Sequence, residues 1–276
     1  MARKKVLISV TTYPLPSRSY DELVCTAGIL ETGEWIRIYP VPLSFLLDLK
    51  GSGKVNNSVK YTWIELELTK RTDDFRPESH SPKNYDFRDL VVHQHLGTER
   101  NWEFRKELCL QNVYTNFDTL IEESKAPTNR SLATFKPTEI IGLDIEADMR
   151  DWKDEWLELR KQRDLFATDK SPETLIPKLP YKFFYKFKDE TGKVRRLMIE
   201  DWEIGSLYWN CLRGAEGDEG VALEKVREKF EQEFLKLKDI YLFVGTTKEW
   251  HMRRSKNPFV IIGVFYPKKE TQMKIF

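Results

Sequence analysis

Ile240-Tyr241-Leu242-Phe243-Val244-Gly245-Thr246-Thr247 and Pro258-Phe259-Val260-Ile261-Ile262-Gly263-Val264-Phe265-Tyr266 are two short apolar runs, and between them stands Lys248-Glu249-Trp250-His251-Met252-Arg253-Arg254-Ser255-Lys256-Asn257. Runs this short, rich in β-branched and aromatic residues and bounded by turn formers, read as buried strands. The loop between them is cationic and aromatic at once. Strands on either side would hold its ends, so basic side chains and an indole would project from a stiff base, an arrangement suited to phosphates and bases.

Working upstream, residues 221–238 repeat Ala222, Val226, Phe230, Phe234 and Leu237 every three or four positions against Glu and Lys, which predicts an amphipathic surface helix. Residues 201–212 predict a second helix, separated from the first by the acidic, glycine-rich stretch 214–220. Residues 181–188 and 193–199 flank Asp189-Glu190-Thr191-Gly192 and predict a hairpin. This half of the chain thus reads β-β-α-α-β-β. Before it, residues 168–180 hold Pro172, Pro177 and Pro180 and predict a linker. The expected division is 1–167, β-rich and then helical, a linker at 168–180, and 181–276.

In the first part, Val6-Leu7-Ile8-Ser9-Val10 reads as a strand ended by Pro14-Leu15-Pro16-Ser17, and residues 23–30 and 35–39 bracket a polar turn containing Gly33. A short helix is expected at 44–49 and a flexible loop at 51–58. Residues 61–70 alternate, with Ile64, Leu66 and Leu68 on one side and Trp63, Glu65 and Glu67 on the other, which predicts a strand with one wet face. The polar run 71–84 is expected on the surface. Helices are expected at 116–125, stopped by Pro127, and at 148–163, where Trp152, Trp156 and Leu159 share a face. The fold class is α+β, mostly antiparallel sheet with peripheral helices, and barrel-like closure is compatible with it.

The chain has 276 residues, 40% of them hydrophobic and 32% charged, enough apolar material for a sizeable core under a wet surface. With 45 basic against 44 acidic residues, the whole molecule exerts no long-range pull on a polyanion, so any nucleic-acid affinity must be local. Three cysteines, Cys25, Cys109 and Cys211, fit neither a disulfide framework nor a zinc knuckle and suggest a reducing compartment. The apolar run after Lys5 is too short for a signal peptide and no run approaches membrane-spanning length, so a cytoplasmic address and no membrane association are expected.

Candidate chemistry is sparse. Gly51-Ser52-Gly53-Lys54 has Asp48 where a phosphate-binding loop needs glycine, and Val55 follows the lysine, so nucleotide binding there is rejected. His93 and His95 would share a strand face, but two ligands do not make a metal site. Glu65 and Glu67, joined by Asp73 and His80, could hold a divalent ion for phosphodiester hydrolysis, although a solvated strand face explains the pair better. No cysteine neighbours a histidine, and no nucleophile, cofactor or metal is assigned. From residue 240 to 276, seven basic residues stand against two acidic ones, a local excess of five. The expected nucleic-acid surface comprises Trp250, His251, Arg253, Arg254 and Lys256, with Arg195 and Arg196 added if both hairpins share a sheet. Lysines guarding a sheet edge are the alternative account of the same charge.

Val10-Thr11-Thr12-Tyr13-Pro14, Glu34-Trp35-Ile36-Arg37-Ile38-Tyr39-Pro40-Val41-Pro42 and Met198-Ile199-Glu200-Asp201-Trp202-Glu203 resemble an uncharacterised family of bacterial proteins over nearly the whole chain. That resemblance implies a bacterial cytoplasmic protein and brings no activity. More distantly, Phe243-Val244-Gly245-Thr246 and Ile261-Ile262-Gly263-Val264 resemble the closing strands of small RNA-binding barrels of the PUA and ASCH type. The leading expectation is therefore a binder of nucleic acid, RNA or DNA. A metal-dependent phosphodiesterase using Glu65, Glu67, Asp73 and His80, and an adaptor for a protein partner using exposed Trp102, Trp152 and Trp209, are the competing readings.

Overall fold

The computed structural model describes residues 2–16, 22–42, 59–154 and 177–270. The expected helix at 44–49, the loop at 51–58, most of the helix at 148–163 and most of the linker at 168–180 lie outside these residues.

Seven strands form the first sheet: β1 (Ala2–Thr11), β2 (Leu15–Pro16), β3 (Glu22–Leu30), β4 (Trp35–Pro42), β5 (Thr62–Lys70), β6 (Ser79–Pro82) and β7 (Val91–His95). β1 pairs antiparallel with both β3 and β5, β4 pairs with β3 and β6, and β6 pairs with β5, so five strands close into a barrel. The expected β3–β4 hairpin forms, with Gly33 at φ +82° in its turn. Val6, Ile8, Val24, Ile36, Ile38, Ile64, Leu66 and Leu68 fill the interior at alternate positions.

After α1 (Glu99–Cys109) comes a second sheet of β8 (Val113–Tyr114), β9 (Leu132–Phe135), β10 (Glu139–Ala147), β11 (Tyr181–Lys188), β12 (Val194–Ile199), β13 (Tyr241–Thr246) and β14 (Phe259–Phe265), in the order β10-β11-β12-β14-β13-β9-β8. One side carries α2 (Phe117–Glu123), α3 (Trp202–Gly214) and α4 (Glu219–Arg227), the last continuing through a π-helical turn (Glu228–Glu233) into α5 (Phe234–Leu237). Asn116 and Asp201 cap α2 and α3 by accepting backbone N–H bonds, as the expected helix starts require. The architecture is therefore mixed α+β, as the sequence predicts, and consists of a five-stranded barrel and a second sheet. β10 and β11, on either side of the expected linker, pair in antiparallel register.

The β13–β14 pair is the middle layer of the molecule. On β13, Leu242 and Val244 pack with Phe117, Phe183, Tyr208 and Phe230 under the helices, while Phe243 faces the barrel with Ile262 and Phe265. The barrel answers with Leu7, Val10, Ala27, Ile29, Tyr61 and Trp63. Burial on both faces is why these strands read as continuous apolar runs. It also corrects β5: Trp63, expected on a wet face, is 5% exposed because the second sheet covers that side.

Candidate functional site

The segment joining β13 to β14 contains a short helix, α6 (Lys248–Met252), capped by the Thr247 hydroxyl accepting from the Trp250 N–H. Trp250 is 50% exposed. Arg253 is exposed, ion-paired with Glu249 at 2.9 Å, and its guanidinium lies 5.9 Å from the Trp250 ring. Arg254 and Lys256 are exposed and make no ion pair among the described residues. His251 departs from expectation. It is buried, its Nε2–H donates to the Ser124 carbonyl, its Nδ1 accepts from the Thr246 hydroxyl at 2.9 Å, and burial lowers its pKa. Its role is to pin the segment to the end of α2, and both ring nitrogens are thereby occupied.

Arg195 and Arg196 do not extend the free cationic surface. Arg195 is held by Asp118 and Asp189, and Arg196 by Asp144 and Glu146 while its guanidinium lies 3.6 Å from the Phe184 ring centre. The phosphodiesterase residues are dispersed as well. Glu65 accepts from Arg3 and His93, Glu67 is paired with Lys83, Asp73 with Arg71, and His80 Nδ1–H donates to the Glu78 carbonyl. Among the described residues, no three His, Cys, Asp or Glu side chains gather where they could hold a metal ion. The three tryptophans expected to be exposed are not: Trp102 packs on Phe265 and Tyr266 beneath Arg105, Trp209 donates to the Tyr13 hydroxyl at 2.8 Å, and Trp152 is half-buried.

The run 71–84, expected on the surface, instead sends a buried ion pair inward. Arg76 Nε donates to Asp74 Oδ1 at 2.9 Å and Nη2 to Oδ2 at 2.6 Å, while Nη1 donates to the Thr246 carbonyl at 2.8 Å. Burial by itself would raise the Asp74 pKa, but Arg76 holds it well below the usual carboxylate range. Beside it, buried Arg37 donates to the Ser131 hydroxyl at 2.7 Å and to the Ser131 and Thr246 carbonyls, and Ser131 in turn donates to Glu78. Arg37 has no carboxylate within ion-pair distance among the described residues, and burial and then Arg76 lower its pKa.

Arg37, Asp74, Arg76 and Thr246 line a cleft of about 720 Å³ between the barrel and the second sheet. Its volume lies inside the range of about 300–1,000 Å³ usual for ligand pockets. Lys248 stands at its edge, donating to the Asp73 carbonyl at 2.7 Å, and Phe75 packs edge-on against His251 with ring centres 4.8 Å apart. The basic segment and the cleft are therefore contiguous. Three aromatics on these segments are exposed: Phe75 at 43%, Trp250 at 50% and Tyr39 at 37%, the last lying under Arg71.

On the same lining, the two sheets are stitched by backbone: the Tyr13 N–H donates to the Glu200 carbonyl at 2.9 Å and Thr12 bridges Asp201. Tyr13 is rigidly held. Its hydroxyl donates to the Pro177 carbonyl at 2.7 Å and accepts from Trp209, and its ring stacks on Trp202 at 5.9 Å and 30°. Asp201 keeps buried Lys60 at 3.2 Å and accepts the Val264 N–H; Asp148 is paired with Lys178 and Lys182. Glu200 also lines the cleft, and its carboxylate has no hydrogen-bond or ion-pair partner among the described residues. Burial pushes its pKa up to about 7.

Sequence reasoning on charge and metal ligation misses Tyr13, Arg37, Arg76 and Glu200. A signal is nonetheless present, since the three strings that carry the family resemblance meet here: Val10, Thr12 and Tyr13, then Arg37 and Tyr39, then Met198 to Asp201 all line the cleft.

Among the described residues, no helix is long and apolar enough to cross a membrane. No curated protein matches the chain. A solved structure described as a murine DNA binding protein bound with ds DNA aligns with all of both chains at 9% identity and a TM-score of 0.30, a likeness too slight to carry an argument. A family described as a domain of unknown function (DUF8758) matches residues 2–111, the barrel and its flanking elements, and a second, likewise a domain of unknown function (DUF8757), matches residues 113–276. The chain belongs to the DUF8757 family.

Proposed function

We propose that the protein binds single-stranded nucleic acid, RNA or DNA, along a surface that runs from Arg254 and Lys256 past Trp250 to Lys248 at the edge of the cleft. The observation that carries this reading is one segment that bears exposed Trp250, the cations Arg254 and Lys256, unpaired among the described residues, and Lys248 on the cleft lining, with exposed Phe75 packed against its His251. Stacking platforms interleaved with basic side chains are what an unpaired strand needs, because every base has a π-face and every linkage a phosphate. A duplex hides those faces. The balanced net charge agrees with attraction that is local to this surface.

Fluorescence anisotropy with labelled single-stranded and duplex oligonucleotides tests it. Single strands are expected to bind more tightly than duplexes, with affinity falling steeply as salt rises. Trp250→Ala removes one stacking platform and is expected to weaken binding about tenfold or more. Arg254→Ala with Lys256→Ala is expected to lower the salt slope by about 0.7 for each phosphate that is no longer neutralised. Binding that ignores salt, or that Trp250→Ala leaves unchanged, overturns the proposal.

A further inference from the structure

Glu200 is the carboxylate of the cleft with no counter-ion among the described residues. Asp74 is engaged by Arg76, Asp148 by Lys178 and Lys182, and Asp201 by Lys60. Glu200 is beside Tyr13 through the backbone bond that joins the two sheets, so a free acceptor group and a fixed aromatic ring are neighbours in a pocket of ligand size. A flat heterocycle seated in the cleft would present its edge to Glu200.

Each nucleobase can be compared with that acceptor group. An ionised carboxylate has two acceptor oxygens and no donor, so it is best met by two adjacent N–H groups on one edge. Guanine provides them at N1 and N2. Adenine and cytosine each pair one donor with one acceptor, which an ionised carboxylate cannot satisfy. Uracil and thymine flank their single N–H with two carbonyls, which repel it.

Resting on the strand-binding reading, we propose that the cleft takes one unstacked guanine of the bound strand, with its N1–H and N2–H donating to the Glu200 carboxylate. The remainder of the strand lies outside, over Lys248 and Trp250. Affinity for guanine then depends on the ionisation of Glu200. Burial holds that group near neutrality in the free protein, so guanine binding draws off a proton and strengthens as pH rises. The other charged groups lining the cleft are Arg37, Arg71, Asp74, Arg76, Asp148, Lys178, Lys182, Asp201 and Lys248, and burial pushes Asp201 up to about 6 against the pull of Lys60. Asp201 remains in a Glu200→Gln variant, so the variant separates the two titrations.

The test is calorimetric titration of the full chain with GMP, AMP, CMP and UMP at about pH 6, 7 and 8, for the wild type and Glu200→Gln. GMP is expected to bind most tightly, to gain affinity through this range and to release a proton near pH 7. Glu200→Gln is expected to lose about tenfold or more for GMP alone, together with the pH dependence. Glutamine is neutral and of the same shape, and a matched circular dichroism melt verifies that the variant folds. Equal affinity for the four nucleotides, a preference for AMP or CMP that falls as pH rises, or an unchanged Glu200→Gln variant overturns the guanine assignment. The two readings fail separately: loss of guanine selectivity with salt-dependent strand binding intact refutes this inference alone, whereas loss of strand binding by the wild type refutes the reading beneath it.

Discussion

Replacing Arg76 with Met removes the guanidinium that joins the barrel's 71–84 segment to the end of β13. In the wild type it donates to both Asp74 oxygens, at 2.9 and 2.6 Å, and to the Thr246 carbonyl at 2.8 Å, and both side chains are buried. Methionine fills much of the same volume but leaves a buried carboxylate without its counter-ion. Breaking a buried pair from one side costs about 3–5 kcal/mol. At about 2–4 °C of melting temperature per kcal/mol for a chain of this size, the expected loss is about 6–20 °C near pH 7. The pH dependence supplies a sharper check. With Arg76 present, Asp74 has a folded pKa below its unfolded one, so it contributes stability above the unfolded value and loses it as pH falls through the folded value. Without Arg76, burial dominates and the folded pKa lies above the unfolded one, so the penalty is full above the folded value and is relieved as acid neutralises the group. The melting-temperature gap between wild type and variant must therefore narrow on going from about pH 7 to about pH 4. Thermal melts followed by circular dichroism measure it. A gap below about 1 kcal/mol near pH 7, or one of constant size across that range, would refute the argument that this pair is buried and ionised.

Phe243→Ala deletes a ring that packs on Trp35 at 5.1 Å and Phe265 at 5.6 Å in the layer between barrel and sheet, and is expected to cost about 3–5 kcal/mol in denaturant unfolding; a loss under about 1 kcal/mol would mean that the two sheets do not depend on this contact. In Gly205→Ala, the added methyl would sit 2.4 Å from Tyr13 Cδ2, and Tyr13 cannot yield freely because Pro177, Trp202 and Trp209 hold it. That variant is expected to lose about 1–3 kcal/mol of stability and to weaken GMP binding in the same titration, and unchanged binding would place the ligand away from Tyr13.

The local parts of the fold are legible because their signals are local. Gly33 and Gly192 mark the two hairpin turns, and the alternation of Ile64, Leu66 and Leu68 sets the inner face of the barrel. What fails is every inference that depends on a partner distant in sequence. Trp63 reads as exposed because nothing near it announces the second sheet that covers it, and residues 71–84 read as a solvated loop because the group that buries Arg76 is Thr246, 170 positions away. The same applies to the site. Glu200 resembles any glutamate at a strand end; its place on the cleft lining, joined to the Tyr13 segment, is one that no spacing near residue 200 reveals. Arg195 and Arg196 read as free charge because Asp118, Asp144 and Glu146 approach them from other strands and helices. Trp250, Arg254 and Lys256 are exposed as the sequence implies, since a polar segment between two apolar strands has nowhere else to go.

One side of β13 belongs to the helical core and the other to the barrel, so Phe243, Ile262 and Phe265 serve as a party wall. Severing the chain between residues 111 and 113 would strip that wall of its tenant on each side, leaving Leu7, Ala27 and Trp63 facing water on one fragment and the three aromatic and aliphatic residues bare on the other. The two matched segments are thus bound to one another as firmly as the halves of a single core, and a rearrangement that moved either alone would have to furnish it with a replacement neighbour.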